Sequence, residues 1–201
     1  MIKKVTIVNI RQDSLQRGTI GYKDYEESYA SVTAIEAWRL LMALTVKMNS
    51  EFRFFDLKTA YLYSDIKETA LMALPPGFKR VYGEENVFRS KKGVYGFSQS
   101  GRNWYIKLKN TLIEVGFKPL ISENCIFILS HKHILVAIVI YVDDFTLIYN
   151  NKEAYHEILL RLKKKFEIEE TTNSGKFLNI TIKTFESCLG MSQAESILRN
   201  C

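Results

Sequence analysis

Two adjacent aspartates interrupt the most apolar part of the sequence. Asp143 and Asp144 lie between the runs 134–140 and 145–149, which have the length and the β-branched and aromatic content of buried strands. The acidic pair therefore marks a reversal of the chain between two strands. Neighbouring carboxylates in an apolar setting repel each other unless they are solvated, protonated or bridged by a cation. Two interpretations follow: a solvated Asp-Asp turn, or a divalent metal site completed by a third carboxylate.

Composition narrows the class of protein. The chain has 201 residues, of which 47% are hydrophobic and 25% charged, as in a globular body of one domain or two small lobes. Its longest apolar run is 134–142, far shorter than a membrane span, so we expect no membrane association. The N-terminal residues lack the pattern of a secretory signal. The sequence therefore predicts an intracellular protein, in the cytoplasm or the nucleus, that is not secreted.

Cysteine spacing and net charge restrict the partners. Cys125, Cys188 and Cys201 form no CxxC pair, which excludes a zinc ribbon and a disulfide scaffold. A formal net charge of +6 is compatible with a polyanionic partner such as nucleic acid, although many basic proteins bind none. No feature of the sequence predicts an oligomeric state.

A third carboxylate is found at the end of another short predicted strand. Residues 51–56 form a strand that ends in Asp56, and 57–62 can begin a helical turn. If the sheet places this strand beside the strands that flank the acidic pair, Asp56 meets Asp143 and Asp144. Mg²⁺ prefers carboxylates together with phosphate oxygens and water, and two such ions suit nucleotidyl transfer.

The remaining patterns predict an α+β fold. Helices are expected over about 31–49, with Ser31 or Thr33 as cap, and over 100–116 and 152–166. Strands are expected at 127–130 and 134–142, joined by a turn at 131–133, and a single strand at 177–185 after a turn at 173–175. The two histidines of the 131–133 turn are better explained by an exposed hairpin than by metal binding.

Four motifs in order resemble the reverse transcriptase of copia-type LTR retrotransposons. They are FDLKTAYLY at 55–63, LPPGF at 74–78, GVYGFSQSGRNWY at 93–105 and YVDD at 141–144. Weaker similarity extends from about 24 to 180. The resemblance implies a right-hand polymerase fold, in which an antiparallel palm sheet is backed by helices.

The resemblance also divides the chain into lobes. It assigns about 51–61 and 101–185 to the palm, and about 1–50 and 62–100 to a partial fingers lobe. Residues 186–201 correspond to the start of a thumb or connection, so that the thumb is largely absent.

By the same resemblance, Asp56 and Asp143 are the principal ligands of two Mg²⁺ ions, for which Mn²⁺ can substitute, and Asp144 completes the acidic cluster. Tyr61 is similar to the aromatic gate that crowds a ribose 2′-OH and so favours deoxynucleotides. Gln99 is similar to a glutamine that lines the incoming-nucleotide pocket. An ordinary core tyrosine and a polar residue at a helix entry are the structural alternatives.

Three cations near the third motif are candidates for phosphate contacts. Lys91, Lys92 and Arg102 can bind nucleic-acid phosphates with salt-dependent affinity, but solvation at the surface explains them equally well.

The resemblance predicts an RNA-directed DNA polymerase that forms part of a larger polyprotein. Its partners are an RNA or DNA template with a primer, and deoxynucleoside triphosphates. The chain departs from the family pattern at Ser98 and at Asn179. Two alternatives remain open: an inactive retrotransposon remnant that at most binds nucleic acid because it lacks a thumb to grip the duplex, and a palm-type enzyme similar to a nucleotide cyclase, which shares the two-metal carboxylate chemistry.

Overall fold

The structure is a computed structural model that describes residues 5–9, 20–21, 32–73, 77, 86–97, 99–171, 176–177, 180–184 and 189–192. In these residues the helices are α1 (Ile35–Lys47), α2 (Ser100–Val115) and α3 (Lys152–Lys163), with a 3₁₀ turn at Ala60–Tyr63. The strands are β1 (Val5–Asn9), β2 (Ile20–Gly21), β3 (Glu51–Leu57), β4 (Asp65–Ala73), β5 (Asn86–Lys92), β6 (Lys118–Pro119), β7 (Ile126–His131), β8 (Ile134–Tyr141), β9 (Asp144–Tyr149), β10 (Ile168–Thr171), β11 (Lys176–Phe177), β12 (Ile180–Thr184) and β13 (Leu189–Ser192).

The chain divides into two compact units. The first unit comprises Met1–Ala30 and Thr59–Leu108, and the second comprises Ser31–Lys58 and Lys109–Cys201. In the part of the chain that the structure describes, no helix is long and apolar enough to cross a membrane.

The second unit contains a six-stranded sheet. Its strand order is β10-β3-β9-β8-β7-β6, and every neighbouring pair is antiparallel. The prediction of an antiparallel sheet in a mixed α and β chain is confirmed. Strand β3 lies between β9 and β10, so it is flanked by strands from a distant part of the sequence.

Helix α1 packs against one face of this sheet. Trp38 is fully buried, and its Nε1 donates a 3.2 Å hydrogen bond to Oγ1 of Thr146 on β9. The predicted capping role of Thr33 is wrong, because the helix begins after Ala34 without a side-chain cap. The Thr33 hydroxyl instead donates a 2.7 Å bond to the carbonyl of Ile140. It therefore satisfies a backbone acceptor on β8, close to the acidic pair.

Helix α3 packs against the opposite face. Asn151 caps it by accepting a 2.8 Å hydrogen bond from the amide of Ala154. The ring of Tyr155 stacks on Tyr149 of β9, with a centroid distance of 4.3 Å. The predicted inward residues of this helix are buried, and Lys163, Lys164 and Lys165 are exposed as predicted.

The prediction of one strand over 177–185 is wrong. Strands β11 and β12 pair antiparallel, with Phe177 opposite Ile180, so the chain reverses between these two residues. Strand β12 then pairs with β13 to complete a three-stranded sheet. Phe177 and Ile180 are buried in the core beside α1, which explains why both are apolar. The turn predicted at 173–175 lies outside the described residues.

The first unit contains a four-stranded antiparallel sheet in the order β1-β5-β4-β2. The pairing of β4 with β5 shifts register between Asp65 and Ala70. Helix α2 follows β5 and ends at Gly116, as predicted, where φ is +113°. Glycine adopts this left-handed conformation without the steric cost that a side chain imposes.

Candidate active site

The acidic pair lies at the hairpin between β8 and β9. Tyr141 pairs with Asp144, which leaves Val142 and Asp143 as a two-residue turn. The chain reverses where the sequence predicts it, but Asp144 is the first residue of β9 rather than part of the turn. Val142 has a φ of +56°, a region that β-branched residues rarely occupy. The turn therefore holds Asp143 with local backbone strain of the kind that concentrates at functional sites.

Strand β3 brings the third carboxylate to this hairpin. Asp56 pairs directly with Asp144, so the two side chains lie on the same face of the sheet. This is the face on which Thr146 binds Trp38 of α1. The amide of Leu57 donates a 2.8 Å hydrogen bond to the carbonyl of Asp143, which ties the turn to the end of β3. The pairing of β3 with β9 meets the condition under which Asp56 lies beside the acidic pair.

Burial and mutual repulsion shift the proton equilibria of these acids. Burial raises the pKa of Asp144 to about 6, and the charges of Asp143 and Asp56 add to the shift. Burial also raises the pKa of Asp56, with further contributions from Asp143 and Glu169, whereas Lys58 lowers it. The site therefore concentrates negative charge that nearby cations compensate only in part.

A fourth carboxylate extends the row. Glu169 on β10 pairs with Asp56, so that Glu169, Asp56 and Asp144 lie side by side across three strands. Lys58 forms ion pairs with Glu169 and, at 3.7 Å, with Glu167. Sequence reasoning missed both Lys58 and Glu169. Lys58 stands two positions after Asp56, but the register of β10 on β3 has no local signal in the sequence.

The donor chemistry of the row suits a hard cation. Aspartate and glutamate supply only oxygen, the donor that Mg²⁺ prefers. Among the described residues, however, no three side chains of the His, Cys, Asp or Glu type are grouped as a metal site requires. Mg²⁺ is commonly held by one or two carboxylates, with the remaining ligands from substrate phosphates and water. The residues present therefore fit an ion that substrate helps to hold, rather than a closed protein cage.

The two candidate nucleotide-binding residues belong to the first unit. Tyr61 lies on the 3₁₀ turn after Thr59, which has a φ of +54°, and its ring contacts that of Tyr95 with a centroid distance of 4.4 Å. Gln99 immediately precedes α2 and is only 7% exposed. Its carbonyl accepts a 3.0 Å hydrogen bond from the amide of Asn103, so it forms part of the helix start.

The candidate phosphate-binding cations differ in their surroundings. Lys91 is exposed on β5, and Arg102 is half-buried in the first turn of α2. Lys92 forms a 2.6 Å ion pair with Asp65. A phosphate contact from Lys92 thus competes with an acid that is already present, whereas Lys91 presents its charge to solvent.

Comparisons with known proteins agree with the motifs. A family model described as reverse transcriptase (RNA-dependent DNA polymerase) matches residues 11–199. The Retrovirus-related Pol polyprotein from transposon RE1 of Arabidopsis thaliana is 29% identical over 175 residues, covering 87% of this chain and 12% of the relative. The Retrovirus-related Pol polyprotein from transposon RE2 of the same plant is 29% identical over 170 residues, covering 85% and 12%.

A yeast relative shows the same pattern. The Transposon Ty1-DR5 Gag-Pol polyprotein of Saccharomyces cerevisiae (strain ATCC 204508 / S288c) is 29% identical over 176 residues, covering 83% of this chain and 10% of the relative. The chain thus spans only 10% to 12% of the length of these curated relatives.

Proposed function

Because the chain belongs to the reverse transcriptase (RNA-dependent DNA polymerase) family, we propose that it is the polymerase domain of a copia-type retrotransposon polyprotein. It extends the 3′-OH of a primer on an RNA or DNA template, with deoxynucleoside triphosphates as substrates. The observation that carries this proposal is the pairing of Asp56 with Asp144 beside the turn that holds Asp143. A nucleotide cyclase would use similar carboxylates, but the family match over 11–199 favours the polymerase.

The carboxylates act as the metal-binding centre. Asp56 and Asp143 hold two Mg²⁺ ions, for which Mn²⁺ can substitute, and Asp144 keeps a third negative charge beside them. Ions held there would supply activation of the attacking hydroxyl and neutralisation of the leaving pyrophosphate. The raised pKa values of Asp56 and Asp144 support this assignment, because they arise from burial first and from neighbouring acids second, and a divalent cation would offset both effects.

The surrounding fold acts as a polymerase palm. The three aspartates lie at one end of the central strands of the six-stranded antiparallel sheet. Helices α1 and α3 pack on its two faces. This arrangement supports the right-hand fold that the motifs imply. The fingers at about 1–50 and 62–100 and the start of a thumb at about 186–201 are part of the same proposal, although α1, which lies within 1–50, packs on the palm sheet.

The nucleotide contacts are part of the same proposal. Tyr61 acts as the gate against a ribose 2′-OH, and Gln99 lines the pocket of the incoming nucleotide. Lys91, Lys92 and Arg102 bind phosphates. The half-buried ring of Tyr61 and the exposed charge of Lys91 support these roles.

Primer extension tests the proposal. The wild-type chain is incubated with poly(rA)/oligo(dT), dTTP and Mg²⁺ or Mn²⁺, beside Asp143→Asn and the matched control Glu51→Gln. Glu51 is a carboxylate at the opposite end of β3, so it controls for loss of an acid from the same sheet. We expect extension by the wild type and by Glu51→Gln, and none by Asp143→Asn.

Two outcomes contradict the proposal in different ways. Extension that survives Asp143→Asn overturns the assignment of the metal ligands. Absence of extension by the wild type, together with salt-sensitive binding of the primer-template, supports a remnant that binds nucleic acid without polymerising it.

A further inference from the structure

The backbone of Tyr61 is held in place by hydrogen bonds within its own 3₁₀ turn. The carbonyl of Tyr61 accepts hydrogen bonds from the amide and the hydroxyl of Ser64, at 3.1 and 2.9 Å. The amide of Leu62 donates to the carbonyl of Thr59 at 2.9 Å. Because the start and the end of this short turn are both hydrogen-bonded within the turn, the Cα of Tyr61 has little freedom to shift.

Gly93 locks this turn against the end of β5. Its amide donates a 3.0 Å hydrogen bond to the carbonyl of Ser64. A Cβ atom at Gly93 would lie 2.7 Å from the Ser64 hydroxyl and 2.7 Å from the Tyr61 carbonyl, and 3.3 Å from the Ser100 hydroxyl. Real side chains do not approach backbone oxygen so closely, so glycine allows this contact. The turn, the strand end and the first residue of α2 therefore meet at one point.

Tyr95 reaches the Tyr61 ring from the same strand end. It lies two residues after Gly93, and the two rings are 4.4 Å apart between centroids at an interplanar angle of 57°. Tyr95 is itself 63% exposed, although aromatic rings gain most when buried. Its value to the fold is therefore low. Its contact with the Tyr61 ring instead restricts rotation of that side chain toward Tyr95.

We infer that Tyr95 is a positioning residue for the Tyr61 gate and so a determinant of selection against ribonucleotides. The inference rests on the proposed function, since it concerns the sugar that the same nucleotide site accepts. A gate that excludes a single hydroxyl must hold its ring to within about 0.5 Å. The contacts of Ser64 and Gly93 fix the position of the Tyr61 backbone, and Tyr95 fixes the orientation of the Tyr61 ring.

Two substitutions at Tyr95 separate the ring from its hydroxyl. Tyr95→Phe keeps the aromatic contact, whereas Tyr95→Leu removes it and retains apolar bulk. Tyr63→Leu is the matched control, because Tyr63 lies on the same turn but its ring contacts Trp104, with centroids 6.0 Å apart. The exposure of Tyr95 makes folding of both variants robust, which circular dichroism checks.

Two measurements are made on each protein. The first is the ratio of dTTP to UTP incorporation on poly(rA)/oligo(dT). The second is the ¹⁹F NMR spectrum of 3-fluorotyrosine placed at position 61 alone, recorded with no nucleotide and during titration with dTTP or UTP. The fluorine signal reports the environment of the Tyr61 ring and does not depend on turnover.

We expect Tyr95→Leu to lower the dTTP to UTP ratio about three- to tenfold and to shift and sharpen the fluorine signal through motional averaging. Tyr95→Phe should restore both readouts to wild-type values. Wild-type readouts in Tyr95→Leu, or an equal loss of selectivity in Tyr63→Leu, overturn the inference. If the wild type extends no primer, the proposed function fails instead, and the fluorine spectra and nucleotide titrations still decide the role of Tyr95.

Discussion

The two ends of strand β3 handle acidic side chains in opposite ways. At its first end, Arg53 lies 3.4 Å from Glu51 and 3.2 Å from Glu170. Glu51 also accepts a 3.1 Å hydrogen bond from Tyr149 and lies 3.2 Å from Lys152. Burial alone raises the pKa of Glu51, but the bonds from Lys152 and Tyr149 and the charge of Arg53 hold it below its ordinary value.

At the other end of β3, acidic side chains lie next to one another. Asp56 lies in register between Asp144 and Glu169, and Lys58 forms an ion pair with Glu169. Burial raises the pKa values of Asp56 and Asp144, and the neighbouring acids raise them further. The acids around Glu51 are therefore paired with cations of the chain, whereas the acids around Asp56 are only partly compensated and can bind a cation from solution. The second arrangement is the one expected of a site for a cation and a polyphosphate.

The largest expected effect breaks this contrast at the acidic end. Asp56→Asn should reduce primer extension by about a thousandfold, because it removes several kcal/mol of electrostatic stabilisation from the reaction. Its free energy of unfolding should not fall, since a repelling charge is lost. Extension rates and urea unfolding measure the two quantities separately. A loss of stability that parallels the loss of activity contradicts the contrast.

The reciprocal change addresses the compensated end. Arg53→Met should lower the free energy of unfolding by about 1 kcal/mol, because Glu51 and Glu170 lose a shared, partly exposed partner. Primer extension by the folded protein should stay near the wild-type rate. Urea unfolding monitored by circular dichroism measures the stability. Arg53→Lys is the matched control and should recover part of the loss, since it retains the charge but not the forked geometry.

The smallest effect sharpens the comparison through pH. The pKa of Asp144 is about 6 in the folded chain, against an ordinary value of 3.8. Between these values the folded state binds more protons than the unfolded state, so the free energy of unfolding decreases as pH rises from about 4 to about 6. Without added metal, Asp144→Asn should remove this decrease. The free energy of unfolding of the variant should then exceed that of the wild type by about 1 kcal/mol at pH 7.

Urea unfolding at pH 4, 5, 6 and 7 tests this sign. Glu51→Gln serves as the comparison, because the pKa of Glu51 is lowered and its contribution is lost on acidification instead. Equal stability of the wild type and Asp144→Asn at every pH contradicts the raised pKa. Mg²⁺ should stabilise the wild type more than Asp144→Asn at pH 7.

Local patterns predicted the framework of the site. The apolar runs around Asp143 and Asp144 predicted a hairpin, and the pattern of 51–56 predicted a strand that carries Asp56 near its end, but not which strand it pairs with. Both predictions rest on short-range alternation and on the cost of burying charge, which are legible in sequence. The end of the helix at Gly116 was also predictable from local sequence, because glycine readily adopts the positive φ that ends a helix.

The errors arise where a distant contact outweighs a local preference. Thr33 has the chemistry of a helix cap, yet its hydroxyl binds the carbonyl of Ile140, more than a hundred residues away. Phe177 and Ile180 look like one alternating strand, yet burial against the α1 core folds them into a hairpin. Glu169 joins the acidic row only through the register of β10 on β3. Each outcome depends on tertiary pairing that periodicity does not encode.

The insertion of β3 between β9 and β10 also governs the order in which the chain can fold during synthesis. The β8–β9 hairpin forms from neighbouring residues, but β3 emerges from the ribosome long before either of its partners. Its apolar Phe54 and Phe55, both buried in the finished sheet, stay unpaired until β9 has been made, and the other edge of β3 stays open until β10 follows. Closing so long a loop is slow. The nascent chain therefore exposes an apolar strand to aggregation until the strands that complete the acidic site have been made.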